Sequence, residues 1–403
     1  MDQLPFQSLP LCGILAMSIC TYFATLSLIP VLREKFIKAN LFGIDMNKKT
    51  HKKIPEAMGI ISGGTFLITM FLFIPVRFSY YIFNDVNLPR NELDELLAAL
   101  LSICCMLLFG FLDDVLNLKW RHKLFLPTIS SLPLLIVYYI NSNSTLIIVP
   151  KPFRTFFGLT IDLGIFYYFY MLMLAVFCTN AINIHSGING LEAGQSIVIA
   201  ISIIIFNGVE LFGKCMQAHQ FSLYLMIPFL ASSVALFKYN RYPASVFVGD
   251  TFCYSSGMTF VVVGIIGHFS KTMLLFFMPQ IFNFLYSVPQ LFHLIPCPRH
   301  RLPKYDEKTD ISKPSVIVFD KKELNRLARF IMSIFRCFRV VDWKESDDGI
   351  VVCNNLTLNN FVLIFFGPIR EPSLTNIMLL IQVICSVFAF IIRYPLASVF
   401  YDT

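Results

Sequence analysis

Charge is what this sequence has least of. Asp, Glu, Lys and Arg make up 14% of its 403 residues, against 56% hydrophobic residues, and a soluble domain with so few charges could not cover its surface. The eleven cysteines contain no CxxC pair, which argues against a zinc site or a disulfide framework. Cys104, Cys105, Cys178, Cys253 and Cys385 lie within apolar runs, where a thiol is a small packing group. Internal repeats and low-complexity segments are absent. The first apolar block, 9–31, is long for a signal-peptide core, follows an acidic residue and lacks an obvious cleavage site, so it is expected to stay as an anchor. The 32 basic residues outnumber the 25 acidic ones, but they are scattered over loops between apolar runs, which argues against a nucleic-acid-binding surface.

What the chain does have is apolar blocks of bilayer-crossing length. They fall at 9–31, 58–74, 96–112, 124–140, 163–182, 196–211, 221–237, 246–267, 272–294 and 374–392. Ten spans place both termini on one side. The odd-numbered loops carry 25 of the 32 Lys and Arg residues, so they are expected to be cytosolic. The sequon at Asn143 falls in an even, luminal loop, whereas the one at Asn355 should be cytosolic and unmodified. The predicted fold is therefore an all-α polytopic membrane protein of about ten transmembrane helices. Residues 1–294 hold nine helices and their loops, 295–373 form a small mixed α/β cytosolic insertion, and 374–403 hold the tenth helix and C-terminus. In the insertion, Leu324, Leu327, Ile331, Phe335 and Phe338 recur at helical spacing among Arg326, Arg329, Arg336 and Arg339. That pattern predicts a basic amphipathic helix on the membrane surface; short strands are expected around 349–358.

A few polar residues sit at the very ends of apolar spans, where they are costly to hold and often functional. Asp113 and Asp114 close the third span, Asn180 and Asn183 the fifth, Asp250 opens the eighth, and Arg299-His300-Arg301 follows the ninth. The loop count puts all of these ends on the cytosolic side. A lone Asp at a helix end is usually a cap, and Arg299-His300-Arg301 alone would serve as well as a headgroup anchor. His185 reads as a packing residue or one standing behind a ligand, rather than a ligand itself, and Asp162 as a luminal helix-end carboxylate. Together, two adjacent carboxylates and a distant third form a hard oxygen site suited to magnesium, which keeps places for water and phosphate oxygens. Arg offers a bidentate fork to a diphosphate, and Lys123, at the mouth of the fourth span, is placed to meet a lipid phosphate. A transporter would hold its charges near the midplane in matching halves, and a non-catalytic scaffold would not need every one of these groups.

The run Asn180-Ala181-Ile182-Asn183-Ile184-His185-Ser186-Gly187-Ile188-Asn189-Gly190-Leu191-Glu192-Ala193-Gly194-Gln195-Ser196 closely resembles the signature of the eukaryotic UDP-N-acetylglucosamine–dolichyl-phosphate N-acetylglucosaminephosphotransferases. So do the stretches 112–123, 246–254 and 296–301. The similarity runs from about residue 36 to the C-terminus and is weakest in 78–95 and 305–350. Bacterial enzymes that load phosphosugars onto undecaprenyl phosphate share the Asp-Asp and Gly-Asp elements but not the stretch through Glu192-Ala193-Gly194-Gln195.

The resemblance implies transfer of N-acetylglucosamine 1-phosphate from UDP-N-acetylglucosamine to dolichyl phosphate, with release of UMP. This is the first step of lipid-linked oligosaccharide synthesis for protein N-glycosylation, at the endoplasmic reticulum membrane with the site facing the cytosol. It implies Mg2+ held by Asn183 and Asp250, and a reaction centre served by Asp113, Asp114 and Asn117. The nucleotide sugar would meet Gly43, Ile44, Asp45, Met46, Glu56 and Asn189, with Arg299, His300 and Arg301 on its sugar and diphosphate. Dolichyl phosphate would meet Lys123 and the stretch Val176, Phe177, Cys178, Thr179, Asn180, Ala181, Ile182, Asn183 and Ile184. Membrane lipid, a homodimer and inhibition by tunicamycin complete the expectation. The family usually has two small or aliphatic residues where this chain has His185-Ser186. A phosphate monoester with a second pKa of about 6 is mostly dianionic at neutral pH, so direct attack on the β-phosphorus is favoured over an aspartyl-phosphate route.

Overall fold

The computed structural model describes residues 4–46, 48, 52–141, 144–213, 215–298 and 301–401; the sequon residue Asn143 lies outside them. Because lipid offers backbone groups no partners, a spanning segment must close its own hydrogen bonds, and each apolar block is a helix. The first half of the chain runs α1 (Leu4–Lys38), β1 (Phe42–Ile44), β2 (Lys53–Pro55), α2 (Gly59–Phe83), α3 (Arg90–Leu116), α4 (Trp120–Asn141), β3 (Leu146–Ile148), α5 (Arg154–Phe157), β4 (Thr160–Asp162) and α6 (Ile165–Ile184). Next come α7 (Leu191–Glu210), α8 (Met216–Asn240), α9 (Gly249–Ile266), α10 (Ser270–Phe276) and α11 (Met278–Leu291). Among the described residues nine helices are long and apolar enough to cross a membrane, and α10–α11 make a tenth if taken as one bent span. The chain is thus a multi-pass membrane protein, with all ten expected spans on helices.

The ninth expected span differs in shape. Its apolar run is continuous in sequence, but α10 and α11 meet at 71°. Pro279, in the first turn of α11, brings no N–H. The side chain of Gln382 donates instead to the Phe276 carbonyl (2.9 Å), and Gln280 donates to both Gln382 and Gln195 (2.7 Å each). The break is held by buried amides.

The bundle is built around α9, buried on all sides from Thr251 to Ile266. It packs against α3, α6, α2 and α8, while α1 lies on α8 and α2. Small residues allow close crossings: a Cβ on Gly110 would come 2.6 Å from Thr251 Cα, and one on Gly257 would come 2.6 Å from the Cys178 carbonyl. Hydroxyl pairs join α1 to α2, Thr21 to Thr69 at 2.6 Å and Thr25 to Thr65 at 2.7 Å, the kind of interhelical bond that substitutes for water in lipid.

The insertion continues with β5 (Lys304–Asp306), β6 (Ile311–Lys313), β7 (Val316–Asp320), α12 (Arg326–Cys337), β8 (Trp343–Glu345), β9 (Ile350–Asn354) and α13 (Leu358–Phe366), before α14 (Glu371–Ile391). Strands β7, β9 and β8 form an antiparallel sheet. The stripe read as membrane-facing is divided. Leu324 and Phe335 pack with Ala328 and Met332 onto the sheet's small core, whereas Leu327, Phe330, Ile334 and Phe338 stay exposed. The sequence pattern missed the inner face because Ala328 and Met332 do not stand out among arginines. Asp162 is a structural carboxylate at the far end of the bundle, accepting from the Thr145 hydroxyl and from Gly164 N–H at 2.9 Å.

Candidate active site

Where α3 ends, α9 begins. Gly249 has φ of +73°, and a Cβ there would come 2.8 Å from Ala57 Cα, so only glycine lets the loop turn this tightly into the helix. The first turn of α9 then presents free N–H groups, and Asp114 answers them. Its Oδ1 accepts from Asp250 N–H (2.7 Å) and its Oδ2 from Thr251 N–H (3.0 Å) and the Thr251 hydroxyl. Asp114 is thereby the cap of α9, supplied from another helix, and its position fixes Asp250.

Asp113 is buried. Its Oδ1 accepts from Leu118 N–H (3.0 Å) and its Oδ2 from the Tyr254 hydroxyl (2.7 Å). Lys123, in the first turn of α4, lies between Asp113 (2.8 Å) and Asp250 (2.9 Å). Asn183, at the end of α6, donates to Asp250 Oδ1 at 2.7 Å. Four helix ends thus bring Asp113, Asp114, Lys123, Asn183 and Asp250 into one cluster, the convergence expected from the loops. Asn117 has a different place: it is the left-handed C-cap of α3 at φ +49°, exposed, its N–H bonded to the Asp113 carbonyl at 2.8 Å. Asn tolerates that backbone better than most residues.

A cavity of about 300 Å³ opens beside the cluster. One wall is the β1–β2 segment, with Ile44, Asp45, Met46 and Glu56; another is Asn183 to Glu192; Phe247 to Asp250, Leu302 and Glu371 close it. Gly43 belongs to this wall, for a Cβ on it would come 3.1 Å from the Phe247 ring and 3.4 Å from Glu56 Oε2. Asn189 donates to Asp45 (2.9 Å) through its side chain and to Glu371 (2.7 Å) through its backbone. Burial, and then the charge of Asp250, raise the Glu56 pKa above the usual carboxylate value. Arg301 carries a buried Nη1 with no partner among the described residues, and burial lowers its pKa. Arg299 and His300 lie outside the described residues.

The stretch assigned to the lipid narrows. Cys178, Thr179, Ala181 and Ile182 are buried, with Gly257 of α9 set close against Cys178 and Thr179. Only Val176, Phe177, Asn180, Asn183 and Ile184, on one face of α6, stay partly open. The imidazole of His185 is buried with no hydrogen-bond partner for its ring nitrogens among the described residues, and burial lowers its pKa to about 4.

The sequence reading missed Thr251, Tyr254, Lys48 and Glu371. Tyr254 was within reach, standing one helical turn after Asp250. Glu371 gave the same signal as Asp250, an acidic residue opening an apolar span. Lys48 gave none.

The cluster has the donors magnesium takes. Asp250 and Asn183 offer hard oxygens, and two carboxylates, Asp113 and Asp250, share a single ammonium. Among the described residues no three His, Cys, Asp or Glu are grouped as a metal cage.

Comparison with known proteins gives this geometry a lineage. Residues 96–268 match the model of glycosyl transferase family 4. The chain is similar to the UDP-N-acetylglucosamine–dolichyl-phosphate N-acetylglucosaminephosphotransferase of Saccharomyces cerevisiae, at 41% identity over 95% of this chain and 91% of the relative. It is 43% identical to that of Schizosaccharomyces pombe, over 97% and 94% of the two chains, and 45% identical to that of Dictyostelium discoideum, over 92% and 86%. With similarity of that depth across nearly its whole length, the chain belongs to the UDP-N-acetylglucosamine–dolichyl-phosphate N-acetylglucosaminephosphotransferase family.

Proposed function

We propose that this protein transfers N-acetylglucosamine 1-phosphate from UDP-N-acetylglucosamine to dolichyl phosphate, giving dolichyl-diphospho-N-acetylglucosamine and UMP. It acts at the endoplasmic reticulum membrane with the site facing the cytosol. The observation that carries the reading is the meeting of Lys123, Asp113, Asp250 and Asn183 at 2.7–2.9 Å beside the cavity. These residues come from separate helix ends, and the cluster sets the Lys123 ammonium, a partner for a phosphate, next to the hard-oxygen pair Asp250 and Asn183.

Roles follow from the contacts. Asn183 and Asp250 would hold magnesium, which supplies charge neutralisation for phosphoryl transfer when bound. Lys123 meets the acceptor phosphate, and the open face of α6 with Val176, Phe177, Asn180 and Ile184 takes the adjoining lipid. The cavity takes the nucleotide, with Asp45, Glu56 and Asn189 on its walls, and Arg301 reaches for the sugar and diphosphate with Arg299 and His300. Both oxygens of Asp114 are committed to α9, and both oxygens of Asp113 are hydrogen-bonded. Neither carboxylate stands ready as a nucleophile, which supports direct attack of the lipid phosphate on the β-phosphorus. A homodimer is part of the proposal, and light scattering on the purified protein tests it.

The experiment is transfer of β-phosphorus label from UDP-N-acetylglucosamine to dolichyl phosphate by the purified protein. Labelled lipid and UMP should appear in equal amounts, stop with a chelator, return with magnesium and be blocked by tunicamycin. A chiral β-phosphorus should invert; net retention would rule out direct attack, and absence of labelled lipid would end the reading.

A further inference from the structure

Glu371 opens the last span, 323 positions from Lys48, yet its carboxylate is a joint of the cavity wall. Its side chain is 3% exposed. Oε1 accepts the Asn189 N–H at 2.7 Å, and Oε2 accepts Lys48 Nζ at 2.6 Å. The Asn189 carbonyl is held in turn by the Thr375 hydroxyl at 3.1 Å, one turn along α14 from Glu371. Lys48 also lies 3.7 Å from the centre of the Tyr242 ring and 3.8 Å from Asp45. One ammonium therefore ties the segment after β1 to the loop after α8 and to the start of α14, around the mouth of the cavity.

These contacts lie on one side of the cluster. Glu371, Asn189 and Asp45 line the cavity, while Lys123, Asp113 and Asp250 make their own bonds. A buried ion pair contributes little net stability, but removing one partner strands the other charge. A pair of this kind is better placed to hold two segments in register than to strengthen the fold.

We propose that Lys48 and Glu371 form a latch that sets nucleotide affinity: Glu371 is a positioning residue that presents Asn189 and Asp45 to the nucleotide, and Lys48 fixes Glu371 and Asp45 relative to each other. The proposal rests on the cavity being the nucleotide site. It requires the latch to act on nucleotide binding and not on the reacting atoms, so KM for the nucleotide sugar should move while kcat does not.

The test uses the full-length protein in nanodiscs, with UDP-N-acetylglucosamine and dolichyl phosphate each varied at saturating levels of the other. Lys48→Met and Glu371→Gln should each raise KM for the nucleotide sugar roughly tenfold, the equivalent of about 1.4 kcal/mol. The KM for dolichyl phosphate and kcat should stay within about twofold by the same reasoning. Because both changes break one link, the double variant Lys48→Met/Glu371→Gln should be no worse than either single change. Lys48→Arg keeps the charge and should keep the wild-type KM. The double variant removes both charges of the 2.6 Å pair and leaves Asp45 with the Asn189 side-chain bond, so it carries the test if a single variant fails to fold; should it also fail, the Lys48→Arg result and UMP binding to it decide. Unchanged nucleotide KM in the neutral variants, a fall in kcat at constant KM, or multiplicative effects in the double variant would each overturn the latch. If the wild-type protein makes no labelled lipid from this donor, the functional reading fails instead, a separate outcome.

Discussion

Replacing Asp114 with alanine should injure the fold as well as the reaction. The carboxylate takes three hydrogen bonds, two from the opening N–H groups of α9 and one from the Thr251 hydroxyl. A hydrogen bond to a charged group contributes about 1.5–3 kcal/mol, and buried donors left without a partner cost about as much again. A typical lost cap costs about 1 kcal/mol. The bonds share one group and do not add, so about 3–4 kcal/mol is the expected loss, near the upper end for point changes. Because α9 is the bundle's central helix, the loss should appear as a lower melting temperature in detergent. It should also release Asp250 from its position and so slow transfer by about 10²–10³-fold, the effect of losing one preorganised charge-stabilising group. The assay pairs a melt with the initial rate of lipid labelling, and Thr251→Ser, which keeps the hydroxyl, is the control that should change neither much. An Asp114→Ala protein that melts with the wild type and turns over normally would refute the capping argument.

Lys123→Met should leave Asp113 and Asp250 facing each other without their shared cation, and transfer should fall at least about 10²-fold, read from labelled-lipid rates. Gly257→Val forces a side chain to within 2.6 Å of the Cys178 carbonyl and 2.7 Å of Thr179 N; α6 and α9 should separate, with little folded protein recovered by size-exclusion chromatography. His185 gives a pH prediction. Its folded pKa of about 4 lies below the ordinary 6.5, so the unfolded chain takes the proton first as pH falls. The stability it contributes is full above about 6.5 and is lost progressively towards pH 4, by about 3 kcal/mol in all. His185→Val should remove that share of the acid sensitivity, seen as a shallower fall in melting temperature between pH 6.5 and 4; parallel curves would refute it.

The helices and the site ends were legible for one reason. An apolar run of about twenty residues is hard to disguise, and a charge at its edge stands out against it. Asp113, Asp250 and Asn183 could therefore be placed on one side of the membrane before any coordinates. Three things stayed hidden because they depend on pairings across the chain. The sequence around Asp114 does not reveal that its carboxylate caps another helix. The run through Phe277 hides a 71° bend, since the amides that satisfy it stand on three different helices. Lys48 is one of several lysines in its loop, and only the fold brings it to Glu371. The lipid stretch was read as continuous, but a helix buries part of what a motif names, and Cys178, Thr179, Ala181 and Ile182 face inward.

Asp250 stands where every strand of the account meets, bonded to Lys123 and Asn183 and fixed by Asp114. The decisive measurement is the rate at which Asp250→Asn moves the β-phosphate label from UDP-N-acetylglucosamine to dolichyl phosphate, in a protein whose melt matches the wild type. A fall of about 10³-fold or more is expected; a rate close to that of the wild type would contradict the account.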